Sequence, residues 1–207
     1  MALCEKKIQG CIALDCDKPI YAGMESEAYL FNKSDVTLTY EQLTDPVTQV
    51  AKDNPNMITN ITLAADTTGY RVEQFGKTPY SGTNTALAEG NAFNKFTQTF
   101  NFIVSDNSEK ASREILDNLA NGKFIAIVRN QYKGSDGRSE FQVYGANKGL
   151  AAASIDNDKY SEETDGGWAI SLSEENTPVS AVYFEHKTSG TVDTLNYIQT
   201  TLAPECV

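Results

Sequence analysis

The stretch Phe93-Asn94-Lys95-Phe96-Thr97-Gln98-Thr99-Phe100-Asn101-Phe102-Ile103-Val104 decides the fold. Phe96, Gln98, Phe100 and Phe102 fall on one face, and Thr97, Thr99, Asn101 and Ile103 on the other, which is the period-two pattern of a half-buried strand. Its aromatic and β-branched residues suit a pleated surface. The period then changes. Asp106 and Glu109 stand at capping-box spacing, with Asp as a variant cap, and Ala111, Ile115, Leu116 and Leu119 form an apolar stripe at helical spacing. Gly122 is placed to stop that helix in a left-handed cap. Strand character returns in Lys123-Phe124-Ile125-Ala126-Ile127-Val128-Arg129-Asn130 and Ser139-Glu140-Phe141-Gln142-Val143-Tyr144-Gly145. The Gly- and Asp-rich turn Lys133–Arg138 joins them, so 123–145 reads as a β-hairpin with an enlarged loop.

Working outward, Glu27–Phe31, Val36–Tyr40, Met57–Leu63 and Tyr70–Phe75 also read as strands. Gly167–Leu172 and Val179–Phe184 read as a further strand pair. Residues 41–56, punctuated by Pro46 and Asp53-Asn54-Pro55-Asn56, read as connection. The segment 76–92 has no period, and a loop of that length is usually functional or mobile. Residues 1–20 form an N-terminal arm and 187–207 a polar C-terminal tail around a β-rich domain at 21–186. The expected fold is mainly β: an antiparallel sandwich or barrel with one flanking α-helix at about 108–121 and extended terminal arms.

The chain has 207 residues, with 17 Lys+Arg against 28 Asp+Glu and a net charge of −11. Such an acidic chain is poorly suited to gripping phosphates, which Lys and Arg do. The charge is uneven. Residues 1–138 hold 14 basic and 17 acidic side chains, whereas 139–207 hold 3 and 11. The excess clusters at Asp156, Asp158, Glu162, Glu163 and Asp165, then at Glu174 and Glu175. It reads either as a solvated acidic loop or as a surface that must repel something negative. No apolar run approaches the ~20 residues of a membrane span. Met1–Lys7 leads into no apolar stretch, so no secretory signal is expected.

Catalytic signatures are missing. No phosphate-cradling Gly-rich loop, G-x-S-x-G elbow or H-E-x-x-H pattern occurs, and His186 is the single histidine. No enzyme activity, cofactor or metal is therefore expected. Asp156-Asn157-Asp158 resembles a fragment of a calcium loop, but no Gly-x5-Glu completes it. Glu162-Glu163 and Glu174-Glu175 are neighbours whose side chains point to opposite faces of an extended chain, so solvated surface is expected for both pairs. Cys4, Cys11, Cys16 and Cys206 contain no C-x-x-C. Free thiols, disulfides that tie the arms down and a four-cysteine metal site all stay open.

The order of elements and several phrases resemble a phage or prophage major tail tube protein. The phrases are the hairpin Phe124–Asn130…Gly137…Phe141–Gly145, then Lys148-Gly149-Leu150, then Asp165-Gly166-Gly167-Trp168 feeding Ala169–Leu172. The likeness covers mainly 90–186, and Cys11–Asp35 is similar to proteins of Bacteroides-type phages. It implies a virion structural protein assembled in the host cytoplasm. Its partners would be itself, in stacked and hexameric rings, and other tail or connector proteins, with DNA passing through unbound. It further implies that Asp156, Asp158, Glu162, Glu163 and Asp165 face the lumen, that Tyr80 and Asn84 lie on an inter-subunit loop, and that the cysteines make arm contacts. A tail-terminator, neck or connector ring protein is the alternative, and a bacterial β-sandwich binding module a more distant one.

Overall fold

The structure, a computed structural model, describes residues 23–45, 49–73, 83–90, 93–134 and 136–204. Thirteen strands are present among them: β1 Met24–Asn32, β2 Val36–Thr44, β3 Ala51–Leu63, β4 Tyr70–Glu73, β5 Asn84–Ala88, β6 Lys95–Val104, β7 Phe124–Asn130, β8 Phe141–Tyr144, β9 Ala151–Asn157, β10 Trp168–Thr177, β11 Val182–Phe184, β12 Lys187–Thr188 and β13 Thr191–Val192. The large sheet runs β2-β3-β11-β8-β7-β1-β4, the small sheet runs β5-β6-β10-β9, and β12-β13 is a separate hairpin. The architecture is mainly β and sandwich-like, as the patterning predicts. One pairing, β11 with β3, is parallel, so the large sheet is mixed rather than purely antiparallel.

β7 explains the layering. Its residues Phe124 to Val128 are all buried, so the strand is covered on both faces, as a continuous apolar run requires. On one side Ala126 and Val128 join Ala28, Leu30 and Tyr144 against Phe100, Phe102, Ile170 and Leu172 of the small sheet and Leu116 and Leu119 of the 109–121 helix. On the other, Ile125 and Ile127 join Tyr29, Phe31, Ile58, Ile61, Phe141, Val143 and Phe184 under Ile198, Leu202 and Ala203.

That second cover departs from the expected tail. Residues 187–204 are a hairpin followed by a helix, Thr194–Tyr197 continued by a π turn at Ile198–Leu202. Tyr197 Oη donates to the Ile61 carbonyl at 2.8 Å, and Gly69 N–H donates to the Leu202 carbonyl at 2.8 Å. Ten polar or charged residues in this segment hide the few apolar ones that anchor it. The C-terminal side is thus no extended arm through residue 204, and the described residues carry two helices rather than the one expected.

The 109–121 helix forms where expected, with three local differences. Ser108 is its cap, its Oγ accepting from Ala111 N–H at 3.1 Å. Asp106 instead accepts from Ser108 N–H at 2.8 Å and from its hydroxyl at 3.0 Å. A π turn at Ser112–Leu116 adds a residue to the repeat, so Ala111 and Leu116 share the buried face and Ile115 is exposed. Gly122 has φ −92°, so no left-handed cap forms. Glycine is needed there for space, because a Cβ would lie 2.3 Å from the Phe124 ring and 2.9 Å from the Asn118 carbonyl.

Four strand expectations change. β3 starts at Ala51, inside the expected connection, and Pro55 sits in a register irregularity of the β2–β3 ladder, where a missing N–H is tolerated. The expected loop 76–92 contains strand β5, whose Asn-Thr-Ala-Leu-Ala sequence has almost no alternation. Residues 151–157, which carry no strand in the sequence reading, form β9. The expected pair 167–172 and 179–184 is split: β10 lies between β6 and β9, and β11 lies between β3 and β8 of the other sheet.

Burial pushes the Tyr144 hydroxyl up to about 12 from an ordinary value of 10.0, and burial likewise raises Tyr29, Tyr40, Tyr183 and Tyr197. A raised acid binds its proton more tightly in the folded state, so stability is full below pH 10 and falls as pH rises toward 12. For Tyr144 alone the loss is about 3 kcal/mol. Urea midpoints measured across this range should fall steeply, and less so in Tyr144→Phe. An unchanged slope in that variant would contradict the burial argument.

Candidate functional site

β5 is an edge of the small sheet. Asn84 to Ala88 pair with Thr99 to Lys95 of β6, and no described residue pairs with the other side of the strand. Its sequence carries no Lys, Pro or other guard of the kind that keeps exposed edges from pairing. Leu87 is 60% exposed and Phe93, beside the start of β6, is 67% exposed. An unguarded edge with large apolar side chains next to it is a template for strand addition. Asn84, expected in an inter-subunit loop, opens this strand.

The acidic cluster lies elsewhere on the small sheet, at its opposite edge. Asp156 belongs to β9, and Asp158, Glu162, Glu163 and Asp165 sit in the 158–167 turn between β9 and β10. All five are exposed, and among the described residues none of them forms an ion pair. The turn is internally braced. Asn157 donates through its amide to the Gly166 and Gly167 carbonyls at 3.0 Å each, and Asp158 accepts from Tyr160 N–H at 3.0 Å. Asp165 and Gly166 take φ of 49° and 74° to close it. With Asn157 engaged in this way, Asp156-Asn157-Asp158 does not converge as a cation loop. Among the described residues, no three His, Cys, Asp or Glu side chains gather as a metal site.

The arginines are disposed in the opposite way. All four are in intramolecular ion pairs. Arg71 binds Glu27 and, at 2.8 Å, Glu73. Arg113 binds Glu109 at 3.0 Å and Glu114 at 3.1 Å. Arg129 and Lys133 share Glu140 at 2.7 and 2.8 Å. Arg138 bridges Glu41 at 2.6 Å and Glu185 at 3.3 Å, and Lys187 also reaches Glu185 at 2.8 Å. Hydrogen bonds from Asn54 and Arg138 hold the Glu41 carboxyl below its usual range. Burial works against ionisation of Glu140, yet the bonds from Lys133 and Arg129 hold it low as well. The surface thus neutralises its guanidinium groups internally and leaves the acidic turn bare.

No family model, curated protein or solved structure matches the chain.

Cys4, Cys11, Cys16, Cys206 and Tyr80 lie outside the described residues. His186 stacks on Tyr197 with ring centroids 3.8 Å apart, and its Nδ1 has no partner. Sequence reasoning missed one feature of the core. Glu175 is exposed as expected, but Glu174 is 2% exposed, on the inward side of β10 in line with Ile170 and Leu172. Its register partner on β6 is Gln98, which is also buried. The alternation Phe96-Gln98-Phe100 does contain the signal, because a polar residue in an inward series must find partners. Gln98 finds them weakly, at 3.4 Å from Gly145 N–H and 3.5 Å to the Ser180 carbonyl.

Proposed function

We propose that the chain is a non-enzymatic virion structural protein of the tail-tube type, one that self-assembles into stacked rings and forms a conduit for DNA ejection. The observation that carries this reading is the β5 edge, which no described residue pairs or guards, with Leu87 and Phe93 beside it. A head-to-tail contact closes into a ring when its rotation permits, and pairing edges between subunits removes the hazard of leaving them open. Asn84 then lies at the subunit boundary. The resemblance supplies the hexameric order, the stacking and the location in the phage tail beside other tail or connector proteins.

The charge distribution supports the same reading. A conduit must let DNA slide, so its wall should carry acids and no available guanidinium groups. Asp156, Asp158, Glu162, Glu163 and Asp165 are bare, and every arginine is paired within the subunit. In this proposal the 158–167 turn faces the lumen. Replacing Asp158, Glu162, Glu163 and Asp165 by lysine should make the assembled protein retain duplex DNA at low salt and release it as salt rises. Unchanged, negligible retention would remove the turn from the lumen.

Sedimentation of the purified chain at rising concentration tests the assembly itself. Growth past a single ring is the expected result. Arrest at one ring favours the terminator or neck reading, and a monomer at every concentration overturns the proposal.

A further inference from the structure

A cleft of about 170 Å³ opens where β2, β3 and β10 approach one another, and it falls outside the edge and the acidic turn. Its walls are mixed in a definite way. Pro55, Pro178, Val179 and Val182 line it with carbon, and Glu174, Asp53, Tyr40 and Gln98 bring polar groups. Glu174 is the member that needs explanation. One carboxylate oxygen accepts from the Lys148 backbone N–H, and Oε2 is buried with no partner.

An orphaned acceptor on a buried carboxylate is costly, and folded chains seldom keep one without a use. Among the described residues nothing supplies the missing donor. Lys33 feels the Glu174 charge but gives its ammonium to the Ala146 carbonyl at 2.9 Å. Lys148 turns its ammonium to the Glu175 carbonyl at 3.3 Å. Among the described residues no cation forms an ion pair with Glu174. A bare divalent ion is a poor fit, since calcium takes six to eight oxygens and carbon dominates these walls.

We infer that the cleft binds an organic cation: a primary ammonium or guanidinium on a short alkyl stem, which is the chemistry of a free alkylamine or of a lysine or arginine side chain. The stem lies along Pro55, Pro178, Val179 and Val182. The cationic head donates to Glu174 Oε2, with Asp53 adding a second negative charge at the mouth. Long cationic side chains divide between apolar and polar surroundings in this manner.

The test uses n-butylammonium and n-butylguanidinium chloride on the full chain, with n-butanol and butyrate as neutral and anionic controls. Both cations should give a saturable rise in melting temperature and a saturable heat in calorimetry, and neither control should. Glu174→Gln keeps the shape and the Lys148 bond but turns an amide N–H toward the cation, so its affinity should fall by about ten- to a hundred-fold. Asp53→Asn, at an exposed position, should weaken binding by a smaller factor and serves if the first variant does not fold. Sedimentation with butylammonium present separates the sources. Dispersal of assemblies identifies the natural occupant as a side chain of a second copy, and binding without dispersal identifies a free amine. No saturable binding, equal binding by n-butanol or undiminished binding in both variants would overturn the inference.

Discussion

Ile198→Ala and Leu202→Ala each lower the unfolding free energy by about 2–5 kcal/mol, the range for removing a buried aliphatic side chain and leaving a cavity. Both residues are at most 1% exposed and lie over the face of the large sheet that carries Ile125 and Ile127. The small sheet and the 109–121 helix cover the opposite face, so nothing else among the described residues closes this side. The loss should appear in urea denaturation as a lower midpoint at unchanged slope. Thr200→Ala, at an exposed position of the same helix, should stay within about 0.5 kcal/mol of the parent. Losses below 1 kcal/mol at both apolar positions would show that the C-terminal helix is not part of the core.

Leu87→Lys should leave the fold intact and the chain unassembled. Leu87 is mostly exposed in the single subunit, so replacing it removes little burial and creates no cavity. The lysine places a charge on a strand edge, one of the ways natural sheets prevent pairing between copies. Any partner strand would have to bury that ammonium beside its own backbone, without a carboxylate provided for it. Sedimentation should report monomer for the variant under conditions that assemble the parent, and urea midpoints should agree within about 0.5 kcal/mol. Assembly equal to the parent's would exclude the β5 edge as the subunit contact.

Much of the sandwich is legible in the sequence because its central strands obey simple periods. Phe96 to Phe102 alternate, and Phe124 to Val128 run unbroken because both faces are covered. Elements at the margins are less legible. β5 is short, small and polar, since an edge strand with one shallow face has few apolar residues to reveal it. The C-terminal helix buries Ile198, Leu202 and Ala203 within a mostly polar segment, and its π turn displaces the spacing on which a helical reading depends. The separation of Trp168–Thr177 from Val182–Phe184 into two sheets is a matter of non-local pairing, which local pattern does not encode.

The acidic turn was fully visible as composition, and its exposure follows from its residues. The pairing of all four arginines was not visible, because partners such as Glu41 and Arg138 lie 97 residues apart. Glu174 shows the limit of a pairwise view. Two adjacent acids on an extended chain must face opposite ways, and one of those ways here is inward. The inward member became identifiable only when β10 was placed between β6 and β9.

Negative-stain microscopy of the purified full chain tests the central claim most directly. Stacked rings with a hollow axis, on the order of 100 Å across for small domains around a lumen, are the predicted result, and Leu87→Lys should abolish them. A field of uniform monomers at concentrations well above those that assemble ring proteins would contradict the account.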